Sequence, residues 1–463
     1  MPFSCDNLPD KNIQKKINLI QKHVGNLGRS LVCLPNIHFR PELESPPQCV
    51  TATKNIIIPW LSAPAMNCGM SVYITNLTKD DFSEKFLKIF TEKLRAGVYP
   101  RRTRMQMILA RFGLHKNRHT SYDLTNEEFE AFLTEGAPAA IKKYNLSEKE
   151  LEHMEYGGVE TAAVTKKDLH SLVPKSAYVN GRHEMGYNFG RNHFLEIHYV
   201  EDIIDEGTAQ KWNLKKNQLI FYYHGGGGHA TYHLGRYFGN RIKNTSTEKA
   251  ILFILKIPFH FLSWNGIKGI RARWRMYFSR KPFPGISASS KEGVRLMKSI
   301  GIALNYGYGF RVALLRRIQD ALPEGTVSLL WDAAHNSIRK ETHNGQEFIV
   351  HRNDAVHVLP DNPVMIAGFH TRSYIGIGGT KTNATFASAS QSAGRTIDMF
   401  DRKGKSKPDF THYTLVSKRK EKEIIKVPHR TDEGLQAVIT PMEEAGIVKP
   451  VAYIRPLAII KGH

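Results

Sequence analysis

The sequence predicts an α+β fold, a single elaborated domain in which mixed β-sheets are surrounded by helices. Three observations predict it. Apolar residues recur at helical spacing in some segments and at strand spacing in others. The two kinds of segment do not alternate regularly as β-α-β units would. No Gly/Ser- or Pro-rich linker, internal period or low-complexity tract divides the 463 residues, so the domain is read as 1–463. With 41% hydrophobic residues the chain can bury one large core or two ordinary ones.

The elements follow in order. Ile13, Ile17, Ile20 and Val24 mark a first helix, and Phe82, Phe86, Ile89, Phe90 and Leu94 a second after the cap-like Thr78. A third helix is TNEEFEAFL (125–133), where Thr125 and Glu128 stand at capping-box spacing. Strands are expected at HFLEIHYV (193–200), NQLIFYYH (217–224), VSLLWDAAH (327–335) and NPVMIAGF (362–369). The stretch YHLGRYFGNRIK (232–243) reads as a helix.

Composition narrows the function classes. Lys and Arg number 65 against 43 Asp and Glu, a formal charge of +22 that favours a polyanionic partner such as nucleic acid. Four cysteines, Cys5, Cys33, Cys49 and Cys68, are too few for a disulfide framework at this length and suit a reducing cytoplasm. The first residues, MPFSCDNLPDKN, lack the apolar core of a signal peptide. The most apolar run, AILFILKIPFHFLSW (250–264), is interrupted by Lys256, Pro258 and His260. It falls short of the ~20 residues a membrane span needs, so no membrane partner is expected.

Residues 224–233 read HGGGGHATYH, between a strand and a helix. Glycines there let backbone N–H groups approach an anion while His224 projects from a strand end. The competing reading is a tight turn and nothing more. GRNHFLEIH (190–198) places Asn192, His193 and Glu196 in one strand-like stretch, with His193 and His198 on opposite faces. WDAAHNSIRK carries His335 and Asn336, and AMNCGM carries Cys68. A single His or Cys is more often a packed core residue than a ligand, and these spacings match no zinc finger. Together Cys68, His193, His224 and His335 are N/S donors suited to one transition metal, if folding gathers them. KGIRARWRMYFSRK (268–281) interleaves cations with Trp274, Tyr277 and Phe278, either to contact RNA or to cover the core as a basic amphipathic helix. DRKGKSKP (401–408) and SKRKEKE (417–423) read as solvated loops.

In order along the chain, LPNIHFRP, AMNCGM, GRNHFLEI, HGGGGHATYHLG, ALNYGYGFR, HNSIRKE, VHRNDA, SQSAGR and RPLAIIKG resemble the successive motifs of the RtcB family of RNA ligases, from about residue 30 to 463. The resemblance implies a GTP-dependent enzyme of tRNA splicing and RNA repair, with GTP and RNA as its partners. It would join an RNA 3′-phosphate or 2′,3′-cyclic phosphate to a 5′-hydroxyl with one or two manganese ions. It also implies metal ligation by Cys68, His193, His224 and His335, with the glycines after His224 clearing room for phosphate oxygens. The guanylate pocket it implies is Asn192, Glu196, Asn336, Gly368, Ser373, Gly394, Arg395 and Lys461.

Some positions depart from the family's motifs. Gln391 stands where the family carries its guanylylated histidine, and a carboxamide nitrogen is no nucleophile toward phosphorus. Ala65 and Asn36 replace two carboxylates, which favours one cation over two, and Phe369 and His370 replace small residues. Two readings follow. Either the chain joins RNA ends with a replacement nucleophile, His370 being nearest in sequence, or it is a divergent, non-ligating member that binds RNA ends or hydrolyses a terminal phosphate with one metal.

Overall fold

The computed structural model describes residues 3–6, 8–25, 30–96, 120–160, 164–186, 189, 192–239, 253–262, 269–279, 281–417 and 424–461. Their strands are β1 (Leu31–Cys33), β2 (Cys49–Thr53), β3 (Ile56–Ile57), β4 (Gly69–Thr78), β5 (Phe194–Ile203), β6 (Gln218–Gly225), β7 (Ile286–Ser287), β8 (Val327–Ala334), β9 (Asn336–His343), β10 (Gln346–Asn353), β11 (Ala355–His357), β12 (Pro363–Ile366), β13 (Ser373–Gly378), β14 (Ser388–Ser390), β15 (Pro408–Ser417), β16 (Ile424–Arg430) and β17 (Val448–Lys461). A nine-stranded sheet runs β12-β13-β17-β5-β6-β4-β8, with β15 added parallel to β17 and β16 beyond it. A four-stranded sheet, β1-β2-β10-β9, and two short pairs complete the α+β architecture.

Both faces of the main sheet are covered, so β6 is buried at every position. Leu219, Phe221 and Tyr223 enter one core with the helices Glu84–Arg95, Asn126–Glu135 and Lys291–Ala321. Ile220 and Tyr222 enter the other, beneath the helices Gly394–Arg402 and Glu433–Glu444. The 31-residue helix Lys291–Ala321 is buried along most of its length, and charged side chains that it carries inside are ion-paired there, Arg295 with Glu292 and Arg311 with Asp332.

Most expected elements lie where their apolar spacing put them, and the differences occur at ends. Thr78 caps the short turn Lys79–Asp81, whereas Ser83 accepts the Phe86 N–H and starts the second helix. Thr125 and Glu128 form the expected capping box. The expected strand at 193–200 starts at Phe194, leaving Asn192 and His193 in the preceding turn. The helix after the glycines spans Gly228–Phe238, and residues 240–243 lie outside the described residues. Cys5 and Cys33 form a disulfide, a single staple and not a framework, at odds with the reducing surroundings that the cysteine count suggested, while Cys49 and Cys68 remain free. Among the described residues no helix is long and apolar enough to cross a membrane. Residues 250–252 and 263–264 of the most apolar run lie outside the described residues.

His351 of β10 ties the smaller sheet to the chain before the site. Its Nε2 accepts the Ile58 N–H at 3.0 Å and its Nδ1 lies 3.1 Å from the Thr51 carbonyl. Burial pushes this imidazole down to about 4. The unfolded chain therefore binds a proton below ~6.5 that the folded chain refuses. Stability is expected to fall by up to ~3 kcal/mol as pH drops from about 6.5 to 4. Urea melts across that range, compared with those of His351→Gln, check this: the variant's stability should depend less on pH.

Candidate functional site

The register of the main sheet gathers the site. Gly69 of β4 pairs with Gly225 of β6 and with Ala334 of β8, and Phe194 of β5 pairs with His224. Cys68 precedes Gly69, His335 follows Ala334, and His193 precedes Phe194, so four residues distant in sequence reach one end of the sheet. Cys68 Sγ lies 3.6 Å from His224 Nε2 and 3.5 Å from His193 Nε2, and the Nε2 atoms of His224 and His335 are 3.2 Å apart. The ligand atoms of Cys68, His224 and His335 all lie within 4.8 Å of one another, a set that can hold a metal ion. His193 stands beside that trio, its ring 5.7 Å from that of His224.

Outer contacts fix the imidazoles. His224 Nδ1 lies 3.0 Å from the Asn192 carbonyl, and His335 Nδ1 lies 3.2 Å from an Asp354 carboxylate oxygen. Each ring thereby turns Nε2 toward the thiol, the orientation that ligating histidines adopt. Burial opposes ionisation of Cys68, yet His335, His224 and His193 together hold its thiol well below the usual range. Burial likewise opposes protonation of His335, but the Cys68 thiolate and Asp354 raise it to about 9. Burial dominates at His224 and lowers it. A thiolate and neutral imidazoles are the forms that bind first-row transition ions, so a cation entering here would displace the proton that His335 holds.

The turn carrying Cys68 is braced from the long helix. Arg311 makes two 2.6 Å hydrogen bonds to Asp332 and donates to the Asn67 carbonyl at 3.1 Å and its Oδ1 at 2.9 Å. Asp332 also accepts from Ser71 at 2.6 Å. Arg311 lies in ALNYGYGFR and Asp354 in VHRNDA, both visible as motifs in the sequence, but nothing local to either marked it as a support for Cys68 or His335.

The glycine run corrects one expectation. Gly226, Gly227 and Gly228 adopt φ of 124°, 72° and 38°, which glycine alone tolerates easily. A Cβ on Gly226 would lie 2.7 Å from the Asn67 carbonyl and 2.9 Å from Arg311. The space a side chain would take is thus filled by the Cys68 turn and not left open for phosphate oxygens. The glycines serve close packing of the site's own walls.

The remaining expected residues divide into two groups. Asn336 belongs with the metal trio, its Oδ1 accepting the Asp354 N–H at 2.9 Å. Gln391 lies one step past the Ala355–Ser390 ladder pair, on the side of Asp354. Its Oε1 is buried without a hydrogen-bond partner among the described residues. Asn192 contributes its backbone carbonyl. The second group surrounds Phe194, whose ring lies 5.2 Å from His224 and 5.3 Å from Phe369. Lys461 at the end of β17 pairs with Phe194, and Glu196 pairs with Ile459. Glu196 is fully buried and lies 2.6 Å from His198. The side chains of Glu196 and His198 thus share a face of β5, while His193 precedes the strand and meets Cys68. Gly368 donates its N–H to Ser373 at 2.9 Å in the turn that carries Phe369 and His370. Phe369 packs against Gly394, where a Cβ would overlap its ring. Arg395 points outward to Asp398 at 3.5 Å. Exposed His370 holds Tyr413 Oη at 2.7 Å from its Nδ1, with Glu196, Asp398, Arg430 and Lys461 in its electrostatic surroundings.

Ala65 offers no donor side chain, and Asn36 Oδ1 accepts from Thr396 N at 3.0 Å and its hydroxyl at 2.8 Å, which anchors the helix bearing Arg395. In the basic aromatic segment, Arg273 and Tyr277 are buried on Glu292, whereas Trp274 and Arg271 are exposed, so it divides between its two readings. Lys268 and Arg280 at its ends lie outside the described residues.

A family model described as tRNA-splicing ligase RtcB matches residues 23–462. Among curated relatives, the tRNA-splicing ligase RtcB of Methanopyrus kandleri is 24% identical over 442 residues, covering 86% of this chain and 41% of its own length. That of Methanococcus maripaludis is 22% identical, covering 86% and 80%. RNA-splicing ligase RtcB homolog 2 of Entamoeba dispar is 23% identical, covering 86% and 73%. The chain thus spans about two fifths of the Methanopyrus relative and most of the other two.

Three outcomes are expected from this geometry. Cobalt(II) titration should give a thiolate-to-cobalt charge-transfer band that Cys68→Ser abolishes, and Asp354→Asn should weaken binding roughly 10- to 100-fold by releasing His335. Arg311→Met strands buried Asp332 and should cost about 3–5 kcal/mol in a denaturant melt.

Proposed function

Because the chain belongs to the tRNA-splicing ligase RtcB family, we propose that it acts on RNA ends, joining a 3′-phosphate or 2′,3′-cyclic phosphate to a 5′-hydroxyl in RNA splicing or repair. The partners in this reading are RNA and GTP, in the cytoplasm, with manganese held by Cys68, His193, His224 and His335. The observation that carries it is the arrival of those four side chains at one sheet end, next to the β17 terminus that bears Lys461.

The chain's own groups have separate tasks in this reading. A bound manganese ion would supply Lewis-acid polarisation of phosphoryl oxygens. The Cys68 thiolate and the imidazoles hold the ion, while Asn192 and Asp354 orient the rings. Lys461 and Arg430 bring positive charge toward phosphate near His370. His370 takes the place of the nucleophile that Gln391 cannot be. Partial desolvation lowers its basicity, and an Nδ1–H donated to Tyr413 leaves the Nε2 lone pair available. Glu196, Asn336, Gly368, Ser373, Gly394 and Arg395 complete the nucleotide pocket.

Gln391, Ala65 and Asn36 favour a second reading, in which the chain binds RNA ends or hydrolyses a terminal phosphate with one metal and does not ligate. One experiment separates the two. With labelled GTP and manganese, the first reading expects label covalently held by the protein, lost in His370→Ala, and joined product from a 3′-phosphate RNA and a 5′-hydroxyl RNA. Release of phosphate or simple binding, without label or joined product, selects the second.

A further inference from the structure

Where β15 pairs with β16, the ladder steps from Pro408–Arg430 to His412–Pro428, so residues 409–411 of β15 bulge outward. Phe410 sits in that bulge and is 99% exposed, the most exposed large hydrophobic side chain among the described residues. Leaving a phenyl ring in water is unfavourable, and a lone solvated Phe would ordinarily be unremarkable. Here the residues on either side of it are held by hydrogen bonds. Asp409 accepts from Thr411 Oγ1 at 3.1 Å, the same hydroxyl meets His429 Nδ1 at 2.8 Å, and His429 Nε2 lies 2.8 Å from the Pro456 carbonyl.

The bulge follows a basic strip. Arg402, Lys403, Lys405 and Lys407 are exposed, and none has an ion-pair partner among the described residues. Two bonds hold the end of the strip as well, since Lys407 donates its N–H to Thr431 Oγ1 and its carbonyl accepts the Thr431 N–H, each at 3.1 Å. The same β15–β16 unit touches the site. Arg430 donates its N–H to the His370 carbonyl at 2.8 Å, and Tyr413, three residues after Phe410, meets His370 Nδ1 at 2.7 Å. Three strand residues span about 10 Å, the reach of one or two nucleotides.

We propose that Phe410 and the Arg402–Lys407 strip form a docking track for single-stranded RNA, with Phe410 stacking on a base one or two nucleotides from the reacting end. The occupant follows from charge complementarity together with a pinned aromatic: cations track phosphates, and an exposed ring offers a stacking face to any base. The track takes up the 401–408 segment, which in sequence is only a charged loop. It rests on the RNA-end reading, and the test distinguishes the two.

Fluorescence anisotropy on the full chain, with a 3′-phosphorylated single-stranded RNA of about ten nucleotides, measures affinity for wild type, Phe410→Ala and Phe410→Trp. Phe410→Ala should weaken binding roughly 5- to 30-fold, and Phe410→Trp should retain it. The joint change of Lys403, Lys405 and Lys407 to Ala should weaken binding and lower the slope of log Kd against log salt by about 2. An abasic residue placed next to the 3′ end should abolish the difference between wild type and Phe410→Ala. Equal affinity of wild type and Phe410→Ala overturns the track while leaving the RNA reading intact. No RNA binding by wild type overturns both, and preferential binding to anionic lipid vesicles through Phe410 replaces the track with a membrane contact.

Discussion

The site depends on one constraint, the antiparallel register that sets Gly69 opposite both Gly225 and Ala334 and sets Phe194 opposite His224. A slip of one residue in any of these ladders would send its ligand to the opposite face. The register is locked by burial on both faces. Phe221 and Tyr223 fit one core, and Ile220 and Tyr222 the other. The buried Arg311–Asp332 pair then ties the Cys68 turn to the helix below. A pair of this kind is weak evidence of net stability, but losing one partner is costly, so it is well suited to fixing geometry.

The fold class and most helices and strands were legible because apolar period is a local property. Ile13, Ile17 and Ile20 announce a buried helical face, and the fully buried β6 announces itself as a continuous apolar run. The donors Cys68, His224 and His335 were also legible, but only as motifs in a familiar order, since their spacing carries no metal signature. Less legible was whatever depends on tertiary approach. The glycines after His224 read equally well as an anion cradle or a tight turn, and only the positions of Asn67 and Arg311 decide for close packing. Asp354 and Tyr413 carried no local mark as partners of His335 and His370.

The departures from the family's motifs have structural consequences of their own. Asn36, in place of a carboxylate, anchors the N-terminal turn of the helix Gly394–Arg402 through Thr396, so the position has become a brace. Phe369 brings an aromatic ring against Phe194 and Gly394, narrowing the space between the metal trio and the helix that bears Arg395. Gln391 leaves a buried carbonyl oxygen without a partner among the described residues, beside Asp354 in register. Together these residues leave the Cys68–His224–His335 cluster intact and shape the packing around it.

The central claim is that one thiolate and three imidazoles, brought together at one end of the main sheet, converge on a single cation. Diffraction from crystals soaked in a first-row transition ion, recorded above and below that ion's absorption edge, tests it most directly. The account predicts one anomalous peak per chain, bounded by Cys68 Sγ and the Nε2 atoms of His193, His224 and His335. No peak there, or a peak surrounded by other side chains, would contradict it.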